Sequence, residues 1–219
     1  VSECRAANSA THRKEDQMHV ADLHRRSVEG FVARLDALAA LDSDQDDAWS
    51  RPTPCPEWDV RDLVNHLVYE DVWTVPLMDG ATMEEVGDRY EGDLLGDDPI
   101  ALARAACDAA MTAAASGIVA GRTVHLSFGD SPASEYAHQL AADHTIHGWD
   151  LAAALGADRS IDPEVVAACA AWFADREDMY REVGEIGPRP AGAGDPDDPQ
   201  DRLLVAFGRD PSWTPPGLP

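Results

Sequence analysis

The sequence predicts an all-α protein, an antiparallel helical bundle with at most a minor strand element. Three observations carry this. Four long segments repeat apolar residues at helical spacing. Alanine is abundant, whereas aromatic residues make up 6% of the chain and β-branched runs are short, a balance that favours helix. The connections between the segments show little of the alternation that marks strands. At 219 residues the chain fits one domain with a sizeable core.

Taken in order, the polar stretch 1–17 has no apolar signal-peptide core and reads as a disordered extension, with Met18 the candidate start of the folded domain (18–219). A first helix is expected over 21–41, with Val28, Phe31, Leu35 and Leu38 on one face. Residues 42–50 form an acidic loop, and the prolines of 51–56 exclude helix there. Asp59 then has the position of an N-cap with Asp62 as its capping-box partner, opening a helix to Asp79. Val60, Val64, Leu67, Val68 and Val72 line one side of that helix. Leu63, His66, Glu70, Trp73 and Leu77 line another, which should make it central in the bundle. Residues 83–97 are acidic and irregular. An alanine-rich helix follows from Pro99 to about Ile118, ended by Gly117 or Gly121. Residues 123–128 alternate as a short strand or extended connector closed by Gly129-Asp130. Pro132 opens a helix that stops at Gly156, and another runs from Asp162 or Pro163 to about Val183. The remainder is an irregular tail around one short helical piece, 201–207.

Charge excludes several functions. Acidic residues number 41 against 17 basic, with Lys14 the sole lysine. A net charge of −24 repels phosphate backbones, so neither nucleic acid nor an anionic membrane surface is an expected partner. No stretch reaches the roughly 18 apolar residues of a membrane span. Cys4, Cys55, Cys107 and Cys169 are scattered without a Cys-x-x-Cys pair, which argues against a disulfide framework or zinc knuckle and for a cytoplasmic location.

Chemistry concentrates on two helices. On the 132–156 helix, at 100° per residue, Tyr136, Leu140, Leu151 and Ala154 fall within about 60° of one another. Asp143 and His147, spaced i and i+4, project from the middle of that stripe, with Asp150 at its edge. His66 and Glu70 interrupt the apolar line of the 59–79 helix. Unpaired ionisable groups in a core cost several kcal/mol, and one divalent metal bound by His66, Asp143 and His147 would satisfy them. Two imidazoles and a carboxylate suit Zn, Ni, Fe or Mn and leave positions open. Spacing alone favours an Asp and a His that pair with each other or with solvent over a metal. Glu70, one turn beyond His66, is a candidate catalytic base or hydrogen-bond acceptor, or an ordinary half-buried glutamate. Asp150 either orients a ligand imidazole or pairs with an arginine. His144 lies about 80° round the wheel and reads as a satisfied boundary histidine. His125 and His138 read as surface residues, Cys55 as packing rather than a nucleophile, and Trp58, Trp73 and Trp149 as core.

Two motifs in order, Pro-Thr-Pro-Cys-Pro-x-Trp-x-Val-Arg-Asp-Leu-Val-x-His-Leu at 52–67 and Asp-x-x-x-His-x-Trp-Asp-Leu-Ala at 143–152, resemble the mycothiol-dependent maleylpyruvate isomerase N-terminal family of the DinB-like superfamily. Asp201-Arg202-Leu203-Leu204 with Phe207-Gly208-Arg209-Asp210-Pro211 is similar to the ending of its single-domain members. The resemblance implies a DinB-like four-helix bundle with a divalent metal, Zn or Ni first, on His66, Asp143 and His147. It also implies chemistry on a small thiol such as mycothiol and an electrophilic substrate, as an S-transferase or isomerase. The alternative is a metal- or ligand-binding bundle without turnover. A second copy of the chain is the candidate protein partner, as a homodimer. The sequence departs from the isomerases in having Asp rather than Glu at 143, and in a stretch after residue 190 shorter than their additional domain.

Overall fold

The computed structural model describes residues 18–42 and 48–216. The expected extension 1–17 and part of the acidic loop lie outside the described residues. Four long helices make the bundle: α1 (Val20–Asp42), α2 (Val60–Asp79), α4 (Pro99–Val119) and α5 (Ala133–Leu155). Between α2 and α4 lies α3 (Met83–Val86), and between α4 and α5 a hairpin of β1 (Thr123–Leu126) and β2 (Gly129–Pro132). After α5 come α6 (Pro163–Phe173), α7 (Glu177–Glu182) and α8 (Pro199–Ala206). This is the all-α, DinB-like fold, and no helix among the described residues is long and apolar enough to cross a membrane.

Side-chain pairs fix the helix directions. Ser27 meets Thr145 and Arg34 reaches the carbonyl just past α5 at Ser160, so α1 and α5 run the same way. Asp71 meets His144 and Thr74 meets Tyr136, so α2 runs against α5. Arg104 bonds Asp36, while Val20 packs in one cluster with Ala113 and Ala114, so α4 runs against α1. The order is up-down-down-up. Parallel α2 and α4 need a long return connection, and residues 80–98 provide it.

The Asp59 N-cap holds where expected. Asp59 accepts from the Asp62 N–H while Asp62 accepts from the Asp59 N–H, the reciprocal box. The return connection is less irregular than its acidity suggested, because Thr82 and Glu85 make a second such box and start α3. Gly117 does not end α4 but lies inside it, where an added Cβ would come 2.8 Å from Met78 Sδ. The glycine is kept for close approach of α2 and α4, and Gly121 (φ 61) follows the helix instead.

Two elements differ from expectation. The extended piece is a hairpin, with Thr123 opposite Pro132 and Leu126 opposite Gly129. Its second strand, Gly-Asp-Ser-Pro, is made of turn formers held in place by pairing. The helix expected over 162–183 breaks at 174–176. Arg176 Nη1 takes the Trp172 carbonyl, which a continuing helix would give to the Arg176 N–H, and that N–H turns to Phe173 instead.

Rather than α2, α5 is the central helix: every residue from 144 to 155 is buried. One side of it joins Phe31, Leu35, Leu63 and Leu67 of the bundle core. The other joins Trp172, Phe173, Leu204 and Phe207, where Phe173 stacks on Phe207 at 3.9 Å between ring centroids. The α8 turn ends at Gly208, whose φ of 77 and closeness to the Gly187 carbonyl leave no room for a Cβ. That turn sends Arg209 back toward α5.

Candidate metal centre

His66 on α2 and Asp143 and His147 on α5 converge, with one donor atom from each lying within 4.8 Å of the others. Asp143 stands between the rings: Oδ2 is 3.2 Å from His66 Nε2 and Oδ1 is 3.3 Å from His147 Nε2. One carboxylate so reaches both imidazoles, with the shorter aspartate side chain sufficing. The side chains of His66 and Asp143 are 27% and 31% exposed, against 10% for His147, so the cluster is open on the α2 side.

Behind His147 the polar groups are closed off. Its Nδ1 is 3.0 Å from Asp150 Oδ2; a carboxylate can only accept, so Nδ1 carries the proton and Nε2 is directed at Asp143. Asp150 also accepts from Arg209, from Nη2 at 2.9 Å and from Nε at 3.1 Å to each oxygen. Asp150 therefore does both things weighed for it, holding an imidazole and pairing with an arginine. Cys55 is not mere packing either. Its Sγ–H donates to Asp150 Oδ2 at 3.2 Å, its sulfur accepts from Arg209 Nη2 at 3.2 Å, and it lies 3.7 Å from His147 Nδ1.

The charges reinforce this arrangement. Burial opposes ionising Asp143, yet His66 and His147 hold its carboxyl well below the usual range. Burial likewise opposes charging His147, but Asp143, Asp150 and Cys55 raise it well above an ordinary imidazole. Asp150 is lowered against its burial by Arg209 and His147. The site thus attracts positive charge to the space between Asp143 and the two Nε2 atoms. The three donors gather within 4.8 Å of one another, close enough for small side-chain adjustments to bring them onto one ion with bonds of about 2.0–2.1 Å. The residues present therefore fit a divalent metal.

Glu70 lies one turn along α2. Burial, with Asp143 adding repulsion, pushes its carboxyl up to about 7. Outside, a cleft of about 470 Å³ is lined by Glu57, Trp58, Asp62, Asn65, His66 and Tyr69. Trp58 is half-buried rather than core, its ring 4.9 Å from His66 and 5.6 Å from His147 between centroids. The proline-rich loop delivers it: Thr53 Oγ1 donates to the Trp58 carbonyl and accepts from the Cys55 N–H. Glu57 between them is the one non-glycine residue with positive φ (71) among the described residues.

His144 is not at a boundary but fully buried, because it faces the bundle interior, with Nε2 on Asp71 of α2 and its ring against His24 and Phe31 of α1. His125 pairs with Asp130 at the hairpin, and half-buried His138 stacks on Trp172. Trp73 and Trp149 are core. Arg209, Cys55 and Trp58 were missed as site residues. The signal for Arg209 was present in the Phe-Gly-Arg-Asp-Pro ending and in the arginine that Asp150 required.

Comparison with known proteins agrees with this geometry. The family model described as mycothiol maleylpyruvate isomerase N-terminal domain matches residues 28–152, more than half of the chain. Uncharacterized proteins Rv0738 and MT0763 of Mycobacterium tuberculosis (strains H37Rv and CDC 1551) are each 29% identical over 202 residues, covering 85% of this chain and 95% of theirs. No solved structure matches. The chain belongs to the mycothiol maleylpyruvate isomerase N-terminal domain family.

Proposed function

We propose that this family member binds one divalent ion, zinc or nickel, through His66, Asp143 and His147 and acts on a small thiol as an S-transferase or isomerase. The observation that supports this best is the single ionised carboxylate set between two Nε2 atoms, one of them on His66, which also lines an open cleft. A bound ion there supplies Lewis acidity that lowers the pKa of a thiol.

The chain's own residues do the rest. Asp150, locked by Arg209, keeps the His147 ring in one tautomer and orientation. Glu70, with its carboxyl near 7, suits accepting the thiol proton at neutral pH and returning it after the transfer. Trp58 and Tyr69 supply aromatic walls to the cleft, against which an electrophilic substrate is held away from bulk water. Mycothiol, named in the family's description, is the thiol to test first.

The test is thiol consumption with a panel of electrophiles, using metal-loaded protein with mycothiol, cysteine and glutathione. Turnover should vanish in His147→Ala. In Glu70→Gln it should fall about 100-fold and lose its rise near pH 7. Stoichiometric metal with no turnover on any pair would sink the enzymatic reading and leave a ligand-binding bundle.

A further inference from the structure

Directly inside the cleft cluster, a second set of groups is sealed in the core. Asp71 of α2, Cys107 of α4 and His144 of α5 bring one donor atom each within 4.8 Å of one another, and all three are fully buried. His144 Nδ1 donates to the Leu140 carbonyl at 2.9 Å. Its Nε2 therefore faces Asp71, 3.3 Å from Oδ1 and 3.4 Å from Oδ2. A neutral ring would set a lone pair against a carboxylate in a site without water exposure, so either a proton on Nε2, pairing an imidazolium with Asp71, or a bound metal ion stands between them. Nε2 straddles the two oxygens, and Oδ1 receives no well-directed hydrogen bond from any group. Cys107 Sγ lies within 4.8 Å of the same carboxylate and of the ring.

We propose that Asp71, Cys107 and His144 form a second divalent-cation site, structural in role and independent of the cleft site. One nitrogen, one oxygen and one sulfur suit a zinc-like ion. With the thiol deprotonated, the two anionic ligands balance the ion's charge, which a core of low polarity requires. Access is restricted. A cavity of about 290 Å³ approaches the His144 ring from the α1 side, lined by Arg26, Arg34, Glu29 and Asp162, yet all three candidate ligands are fully buried. The inner ion should be acquired during folding and exchange slowly.

The experiment measures metal in the full chain produced with zinc or cobalt. Two equivalents are expected, one removed quickly by a chelator and one slowly. The cobalt protein should show a sulfur-to-cobalt charge-transfer band with no thiol added. That band and the slow equivalent should persist in His66→Ala and in Cys55→Ala, and both should disappear in Cys107→Ala. A single equivalent that His66→Ala removes would overturn the proposal, as would a band that follows Cys55. The wild-type count decides the matter even if Cys107→Ala does not fold. Failure of the cleft site instead would leave one slow equivalent in the wild type.

Discussion

Asp143 and His144 are neighbours in sequence, yet they belong to two clusters of opposite character. Asp143 joins His66 and His147, and His66 lines an open cleft. His144 joins Asp71 and Cys107 where nothing is exposed. Each cluster directs an imidazole Nε2 at a carboxylate, with the other ring nitrogen committed to an acceptor. Access is what separates them. Each cluster offers three donor groups, so solvent access rather than ligand number is the difference; a 100° step along one helix is enough to divide the two.

The largest effect should come from breaking the open cluster. His66→Ala or His147→Ala should abolish stoichiometric metal at the cleft, measured by elemental analysis after rapid chelation and reloading. His144→Ala should leave that equivalent in place. Loss of the cleft metal in His144→Ala but not in Asp143→Ala would reverse the assignment of the two neighbours.

Next comes the support behind the open cluster. Asp150 is fully buried and Arg209 is its guanidinium partner. Arg209→Ala leaves a buried carboxylate without its cation and should destabilise the fold by about 3–5 kcal/mol in urea unfolding. Arg61→Ala, which breaks an exposed pair with Asp93, should change little.

A smaller effect sets two histidines, His24 and His147, apart by pH in metal-free protein; His144 of the sealed cluster, raised by Asp71 against its burial, shares the sign of His147. Burial, with His144 alongside, lowers His24 next to the sealed cluster to about 3. The folded state then binds fewer protons than the unfolded one, so stability should fall as pH drops from about 6.5, by up to about 1.4 kcal/mol per unit. His24→Leu should flatten that acid limb. His147 has the opposite sign: its folded pKa is raised, so its contribution is complete below about 6.5 and lost as pH rises through the raised value. Unfolding curves in urea across this range check both signs.

Helix positions and the outer triad were legible in the sequence because each rests on local spacing: the Asp59 cap, the apolar faces, the i and i+4 pair. What escaped depends on tertiary partners. His144 looked peripheral on the wheel, whereas its partners Asp71, Cys107 and Phe31 come from three other helices of the bundle. Cys55 looked like packing because its partners Asp150 and Arg209 are distant in sequence. The α6–α7 break comes from Arg176 competing for the Trp172 carbonyl, which no periodicity encodes. The Thr82–Glu85 box, by contrast, was readable and passed over.

The most direct test of the open cluster is a thiol titration of cobalt-loaded Cys107→Ala protein, in which the inner sulfur is absent. Adding mycothiol, cysteine or glutathione should raise a new, saturable sulfur-to-cobalt band, and His147→Ala should remove it. Stoichiometric cobalt at the cleft with no spectral response to any of these thiols would contradict an open, thiol-binding metal centre.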